Sequence, residues 1–271
     1  PLWLLRGSAQ RRVVAVRGML AAGMLKHGSL KKRAFLAAMK LLDCYKDVVF
    51  QATNTEEVED VKQWIGTGAE VQLVSNLGRK LKGKALAPRI KVPGELRLVS
   101  VARIAVEKNT LFAIECLAHV NGKVTFDLYG PTYDQAYRQQ CEVAIAKLPP
   151  NVTVAHKGTV APEAVADLFA NYHALFMPSQ GENFGHTMVE ALASGLPLLI
   201  SDRTPWKALV SQHAGWDLPL TERNPFTEAT QRLVDMDQAA YDPWVAGAFT
   251  LGERYLNDPA PVKRTLELIL P

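Results

Sequence analysis

The sequence has few cysteines and no long apolar segment. Its three cysteines, Cys44, Cys116 and Cys141, are far apart and form no CxxC pair, which favours free thiols in a reducing compartment over a disulfide framework. The six histidines are scattered and no pair has the spacing of metal ligands, so we expect no metal site. No apolar run approaches the roughly 18–20 residues that a membrane-spanning helix needs. These absences predict a cytoplasmic location.

The N-terminal third lacks two further features that would indicate other functions. Its opening residues, PLWLLRGSAQRR, have no basic start before an apolar stretch and no small-residue cleavage site, so no secretory signal is predicted. The chain begins with Pro rather than Met, and we expect an upstream segment to precede it. The basic stretch 79–91 contains no aromatic residue, which argues against a nucleic-acid partner, because basic patches that bind nucleic acids are typically interleaved with aromatic residues.

The composition is that of a sizeable globular protein. With 271 residues, of which 48% are hydrophobic, the chain can form one large α/β domain or up to two domains. The net charge of +4 hides an asymmetry, because residues 1–92 carry an excess of Lys and Arg and residues 93–271 an excess of Asp and Glu. A basic first third can attract phosphates, nucleic acid or an anionic membrane, or it can be a solvated face.

Short apolar runs alternate with amphipathic segments from residue 96 onward, and this alternation predicts right-handed βαβ units in a mostly parallel sheet. Apolar runs such as PLLI suit strands that are buried on both faces. We predict strands over 96–102, 124–130, 152–158, 174–179, 197–202 and 215–218, and helices over 109–120, 133–148, 162–172, 184–194, 204–211 and 224–235.

The first 78 residues predict part of another α/β unit, with strands over 13–18, 48–54 and 70–76 and helices over 29–45 and 55–66. Residues 79–93 are basic and interrupted by proline, which indicates a linker. The predicted domains are therefore a partial N-terminal α/β domain, 1–78, a linker, 79–93, a second α/β domain, 94–237, and C-terminal helices, 238–271.

Ligands of open parallel sheets bind beyond the carboxyl ends of the strands. The corresponding predicted loops are 103–108, 130–132, 158–161, 179–184 and 202–204. The first of these loops holds Arg103 and Lys108, which can converge on one anion or can be two exposed surface cations.

Two acids lie close to the start of the predicted helix 184–194. Glu182 precedes the helix between two glycines, and Glu190 lies within it. Taken alone, each acid can be an ordinary residue. The helix dipole favours an acid such as Glu182 near a helix start, and an acid within a helix, such as Glu190, is usually solvated on the surface. Together with the helix amide groups near Phe184–Thr187 and the two cations, they suggest a site for a diphosphate flanked by sugars. The two carboxylates would accept hydrogen bonds from the sugar hydroxyls. This combination points to a nucleotide-sugar.

Two motifs here resemble a known family. S-x-G-E-N-F-G-x-x-x-x-E-A-L-A-S-G-L-P and, upstream, S-V-A-R-I-x-x-E-K-N resemble the C-terminal domain of the retaining family 4 glycosyltransferases, glycosyl transferases group 1, of GT-B fold. The resemblance covers nearly the whole chain, but its specific motifs lie within residues 100–197. It implies an α/β, GT-B-like fold with a complete C-terminal Rossmann-like doubly wound parallel sheet and a partial N-terminal Rossmann-like domain. Residues 238–271 would be helices that cross back to the N-terminal domain.

The resemblance also implies an activity, namely sugar transfer from a nucleotide diphosphate sugar to a hydroxyl with retention of configuration. Arg103 and Lys108 would stabilise the leaving phosphate, Glu182 would orient the donor sugar and Glu190 would bind the ribose. No metal or other cofactor is expected, because the two cations take that role. The remaining residues expected to bind the donor are Asn183, Phe184, Gly185, His186, Thr187, Gly130, Gly158, Thr159 and Val160.

The expected partners follow from the same resemblance. They are a nucleotide-sugar donor and a saccharide or lipid-linked acceptor, in polysaccharide or glycolipid biosynthesis. The Gly-rich loop and much of the acceptor site belong to the part of the N-terminal domain that is missing, so the alternative is a nucleotide-sugar-binding fragment without turnover. The basic amphipathic helix 29–45 either contacts an anionic membrane at the inner face of the plasma membrane or packs on the missing half-domain.

Overall fold

The computed structural model describes residues 11–20, 29–78, 86 and 88–270. Residues 79–85 and 87 of the predicted linker lie outside the described residues, as do parts of the predicted N-terminal domain. Two compact units are present. The first comprises Pro1–Leu77 with Asp258–Pro271, and the second comprises Gly78–Asn257.

The first unit contains a parallel sheet of the order β1-β2-β3. Asn54 begins the second described helix of this unit, because its Oδ1 accepts a hydrogen bond from the Glu57 backbone N–H at 2.8 Å. The buried Glu57 carboxylate in turn accepts from the backbone N–H and the hydroxyl of Thr53, both at 2.7 Å. The elements are β1 (Arg12–Ala15), α1 (Ser29–Leu41), β2 (Val48–Ala52), α2 (Thr55–Trp64) and β3 (Glu70–Leu73).

The second unit is a doubly wound α/β domain. Its strands pair in parallel in the order β6-β5-β4-β7-β8-β9. The strands are β4 (Glu95–Val101), β5 (Lys123–Tyr129), β6 (Val152–His156), β7 (Ala174–Met177), β8 (Leu198–Ser201) and β9 (Gly215–Leu218). The helices are α3 (Thr110–Cys116), α4 (Gln135–Ile145), α5 (Val165–Phe169), α6 (His186–Ala193), α7 (Asn224–Asp235) and α8 (Gln238–Leu256).

The strand order reverses direction between β4 and β7. From β4 the chain continues outward to β5 and β6, and it then returns to pair β7 with the other edge of β4, in the register Leu98↔Ala174 and Val99↔Leu175. Strands β8 and β9 follow on that side. The helices that follow β4 and β7, α3 and α6, therefore pack into different core clusters, and ligands of open parallel sheets bind at such a point.

The last helix, α9 (Ala260–Ile269), belongs to the first unit. Its Leu268 packs with Val49 and Val74, and Arg11 Nη1 donates to the carbonyl of Glu267 at 2.8 Å. Helix α8, by contrast, belongs to the second unit. The chain thus passes from the second unit to the first between Asn257 and Asp258. This point lies within residues 238–271, which the sequence analysis predicts as a single segment of C-terminal helices.

Two predicted helices are different in the structure. The segment 204–211 is a loop that ends in a 3₁₀ turn, Val210–Gln212, because the Asp217 carboxylate accepts the backbone N–H groups of Ala208 and Leu209 at 3.0 and 2.9 Å. A tertiary side-chain contact thus replaces helical hydrogen bonds. The segment 162–172 is shorter than predicted, with a 3₁₀ turn, Pro162–Ala164, before α5.

The end of the predicted linker is part of the second unit. Arg89 is buried and donates from Nε to Tyr172 O at 3.2 Å and from Nη2 to Ser194 O at 2.5 Å. Lys91 is also buried, and its Nζ donates to the Val234 carbonyl at 3.1 Å. Burial lowers the pKa of both groups, and the carbonyl partners compensate in part for their lost hydration.

Helix α8 approaches α6 closely at Gly252. A Cβ atom at this position would lie 2.4 Å from Ala193 N and 2.6 Å from Leu192 C, so the two helices can touch only because the side chain is a hydrogen. We therefore expect Gly252→Ala to force α8 away from the end of α6 and to lower the free energy of unfolding by about 1–3 kcal/mol, as overpacking does. Urea unfolding followed by circular dichroism measures this change.

Gly68→Ala is the matched control, because a Cβ there meets nothing within 4 Å. It should leave the free energy of unfolding unchanged or slightly higher. Equal free energies of unfolding for the Gly252→Ala variant and the parent would contradict this prediction, because α8 could then move away from α6 without loss of stability.

Candidate functional site

Three loops meet at the carboxyl ends of β4, β7 and β8. Gln180 N–H, in the loop after β7, donates to the Glu107 carbonyl in the loop after β4 at 2.9 Å. Glu182 N–H donates to the carbonyl of Arg203, in the loop after β8, at 3.1 Å. These backbone bonds fix the middle loop between its two neighbours, so side chains from separate parts of the sequence share one region.

Lys108 and Glu182 form an ion pair in this region. Lys108 ends a 3₁₀ turn, Val106–Lys108, and its Nζ lies 2.5 Å from Glu182 Oε1. Ser179 donates its hydroxyl to the same carboxylate oxygen at 3.0 Å. Both charged side chains are largely shielded from water, which strengthens their attraction relative to a surface pair. The structure thus brings together one predicted cation and one predicted acid, and it adds Ser179.

Arg103 lies on the same loop as Lys108 but has a different partner. Its Nη2 is 2.8 Å from Oε1 of Glu107, four residues along the chain, and both side chains are about half exposed. Each of the two predicted cations is therefore paired with a carboxylate. Glu107 was not predicted as a site residue, although its spacing of four residues from Arg103 could have indicated the pair.

Helix α6 begins beside this cluster. Gly185 precedes it with φ 76°, and a Cβ there would lie 2.8 Å from Met188 Sδ, so glycine suits both the conformation and the space. The Thr187 hydroxyl donates to the Val101 carbonyl at 3.1 Å, which anchors the first turn of the helix to the end of β4. The N-terminal end of α6 carries partial positive charge, which favours an anion near the cluster.

The predicted residues around the start of α6 have different environments. Asn183 is half-buried in the loop, and His186 is exposed at the first helical position. Phe184 is buried, with its ring 4.4 Å from that of His186 and its carbonyl accepting from Trp206 Nε1 at 3.3 Å. Glu190 is half-buried one turn further along α6. Phe184 is thus a core residue of the domain as well as a candidate site residue.

The loops after β5 and β6 are joined to the end of β4. Gly130 N–H donates to the Gly158 carbonyl at 2.7 Å, and a Cβ at Gly130 would lie 2.0 Å from Ala102 O, so only glycine fits there. Thr159 is exposed, and Val160 packs against the second unit's core. These four residues, all predicted to bind the donor, thus lie at the same edge of the sheet as the charged cluster.

A polar network on β5 was not predicted from the sequence. Tyr172 donates its hydroxyl to Asp127 at 2.8 Å and lies 3.3 Å from the Tyr129 hydroxyl. Burial, reinforced by these hydrogen bonds, raises the pKa of Tyr172 well above its usual range. Tyr172 therefore remains a neutral donor, and the network supports the end of β5 just before Gly130.

The described part of the chain has neither a metal-binding cluster nor a membrane-spanning helix. Within it, no group of three or more His, Cys, Asp or Glu residues could hold a metal ion. Across the same residues, no helix combines the length and apolar character that crossing a bilayer requires.

Several known proteins are similar to this chain in sequence. The alpha-monoglucosyldiacylglycerol synthase of Streptococcus pneumoniae is 28% identical over 188 residues, which cover 66% of this chain and 42% of that protein. The chain thus spans less than half the length of the curated relatives it matches.

Two solved structures have the same fold. Sucrose-phosphate synthase from Thermosynechococcus elongatus aligns with a TM-score of 0.73 and 20% identity, over 98% of this chain and 69% of that one. The Anabaena protein HepE, in complex with UDP and glucose, aligns with a TM-score of 0.70 and 15% identity, over 94% and 70% of the two chains. These likenesses confirm the predicted α/β, GT-B-like fold class.

The family model described as "Glycosyl transferases group 1" matches residues 86–236, more than half of the chain and all three loops of the charged cluster. The chain belongs to this family of glycosyltransferases.

Proposed function

We propose that the protein is a retaining glycosyltransferase that moves a sugar from a nucleotide diphosphate sugar to a hydroxyl acceptor. The observation that carries this proposal is the cluster at the β4–β7 junction. There Arg103 and the Lys108–Glu182 pair lie on loops that flank the start of α6. Such a set of groups suits a diphosphate, because cations and helix amides bind phosphate while a fixed carboxylate accepts from sugar hydroxyls.

The chemistry assigned to each group follows from where charge develops. As the bond between the sugar and the terminal phosphate breaks, that phosphate gains negative charge, which the guanidinium of Arg103 and the ammonium of Lys108 stabilise. Glu182 holds Lys108 in place and accepts a hydrogen bond from the donor sugar. Glu190, further along α6, binds the ribose, and Gly158–Val160 line the base. This proposed reaction uses no metal, because the two cations neutralise the leaving group.

The second candidate function is binding of the nucleotide-sugar without turnover. It is retained because the chain spans only part of its relatives' length. The two candidates differ in one measurable quantity, which is release of nucleoside diphosphate when donor and acceptor are both present. Binding without release, with a panel of saccharide and glycolipid acceptors, would favour the second candidate.

A thermal-shift screen tests the donor site that both candidates share. We expect one class among UDP-, GDP- and ADP-sugars to raise the melting temperature, because a ligand at 100 times its Kd adds about 2.7 kcal/mol of stability. Inorganic phosphate and free glucose at equal concentration are the controls, and each should shift it less. If none of the three classes shifts the melting temperature, the chain has no donor site and both candidates fail.

The two cations are expected to act mainly on turnover. Arg103→Ala and Lys108→Ala should each lower the rate of nucleoside diphosphate release by about 10²–10³-fold, as the loss of one charge-stabilising donor does elsewhere. Arg138→Ala is the matched control, because Arg138 also pairs with a carboxylate but lies on α4 away from the cluster. Rates equal to the parent's in both variants would contradict the assigned roles.

The proposed acceptor is a saccharide or a lipid-linked saccharide, at the cytoplasmic face of an anionic membrane. Helix α1 supports the membrane contact, because Leu30 and Leu41 are 82% and 87% exposed on one of its faces. The same helix carries exposed cations, at Lys31, Lys32, Arg33 and Lys40. A helix that combines basic and exposed apolar residues is suited to the surface of an anionic bilayer.

Vesicle sedimentation tests this contact. The protein should sediment with vesicles that contain phosphatidylglycerol at low salt and should stay in solution with neutral phosphatidylcholine vesicles. Leu30→Ser with Leu41→Ser should abolish sedimentation, whereas Val143→Ser, an exposed apolar residue on α4, should not. No association of the parent with anionic vesicles at low salt would remove the membrane proposal and leave the enzymatic one in place.

A further inference from the structure

The two ion pairs of the charged cluster differ in how they are held. Side-chain exposure is 20% for Lys108 and 13% for Glu182, and Ser179 adds a third group to that pair. Arg103 and Glu107 are 53% and 51% exposed at a separation of 2.8 Å. Water screens the exposed pair strongly, so its strength is that of an ordinary surface ion pair. Arg103 is therefore the cation that exchanges its partner more easily.

The backbone fixes Glu107 beside the site. Its carbonyl accepts from Gln180 N–H at 2.9 Å, in the same loop that carries Ser179 and Glu182. The backbone at Glu107 is therefore fixed, and its side chain can pair with Arg103 whenever no other anion binds the guanidinium. A diphosphate offers the same guanidinium two oxygens and a larger charge, which makes it a stronger partner than one carboxylate.

The formal charges of the cluster also cancel. Two cations face two carboxylates, Glu107 and Glu182, and Arg203 in the third loop is paired with Asp202, so these six side chains together carry no net positive charge. An anion gains the full attraction of a side-chain cation only when one pair opens. The Lys108–Glu182 pair is partly buried and reinforced by Ser179, whereas the Arg103–Glu107 pair is half exposed. The pair that opens is therefore Arg103–Glu107.

We propose that Glu107 is a positioning residue that occupies the Arg103 guanidinium in the free protein and is displaced by the donor's diphosphate. This inference rests on the proposed function, because it concerns the same phosphate site. Glu107 then sets the affinity for the donor without taking part in the chemical step, since Arg103 contacts phosphate in the bound state whether or not the competitor is present.

The test is binding of UDP, GDP and ADP by isothermal titration calorimetry, using whichever binds the parent most tightly. Glu107→Gln should lower the Kd about two- to fivefold, the fold-change that corresponds to losing a competing surface ion pair. Raising the salt concentration should shrink this gain, because salt already weakens the pair in the parent. At saturating donor the rate of nucleoside diphosphate release should be unchanged, so the effect appears in KM and not in kcat.

Glu142→Gln is the matched control. Glu142 pairs with Arg138 at the same four-residue spacing and the same 2.8 Å, at 58% exposure, but on α4. This variant should bind the nucleotide as the parent does. A similar gain in both variants would mean that any lost surface acid increases affinity, and the inference would fail.

A double-mutant cycle distinguishes two explanations for a gain in affinity: Glu107 competes for the Arg103 guanidinium, or its negative charge simply repels the nucleotide. In an Arg103→Ala background, Glu107→Gln should give no further gain in affinity, because the residue it releases is absent. A gain of the same size in that background would overturn the inference, as would equal Kd values for Glu107→Gln and the parent. If the parent binds none of the three nucleotides, the proposed function itself fails, which is a distinct outcome.

Discussion

The parallel pairing of β4 with β7 is the constraint from which the site follows. Only two residue pairs define this register, Leu98↔Ala174 and Val99↔Leu175, yet they join the two halves of the sheet. Because the chain winds outward in opposite directions on either side, the helices that follow these strands, α3 and α6, pack into different core clusters, and a junction of this kind provides space for ligands beyond the strand ends. The charged residues of the cluster, the start of α6 and the glycine turn at Gly130 all lie around that space.

The charges around this space are arranged in opposed pairs rather than as a bare positive patch. A buried unpaired cation would be costly, and the Lys108–Glu182 pair with Ser179 avoids that cost while keeping an ammonium at the site. The more exposed Arg103 needs no such support and remains adaptable. In the exchange of partners that we propose, an anion competes with a carboxylate for Arg103, so the selectivity of the site depends on which anions can outcompete that carboxylate.

Much of the second unit could be predicted because its signals are local. Strands buried on both faces, such as β7 and β8, appear as short apolar runs. The carboxyl-end rule selected the two loops that carry Lys108 and Glu182, and the structure pairs these two side chains. What could not be predicted depends on distant partners. Arg89 is buried because carbonyls from Tyr172 and Ser194 receive it, more than 80 residues away. The loop at 204–211 similarly depends on Asp217, a contact that no local propensity contains.

Helix α6 is secured at both of its ends. Its first turn is bonded to β4 through Thr187, and beyond its last turn Arg89 binds the Ser194 carbonyl while α8 lies against Ala193 at Gly252. The amide end that faces the cluster is therefore oriented during folding, and a ligand meets it without an entropic penalty for ordering it. Differences in ligand preference among related proteins should accordingly arise in the side chains of the surrounding loops, while the position of the helix stays the same.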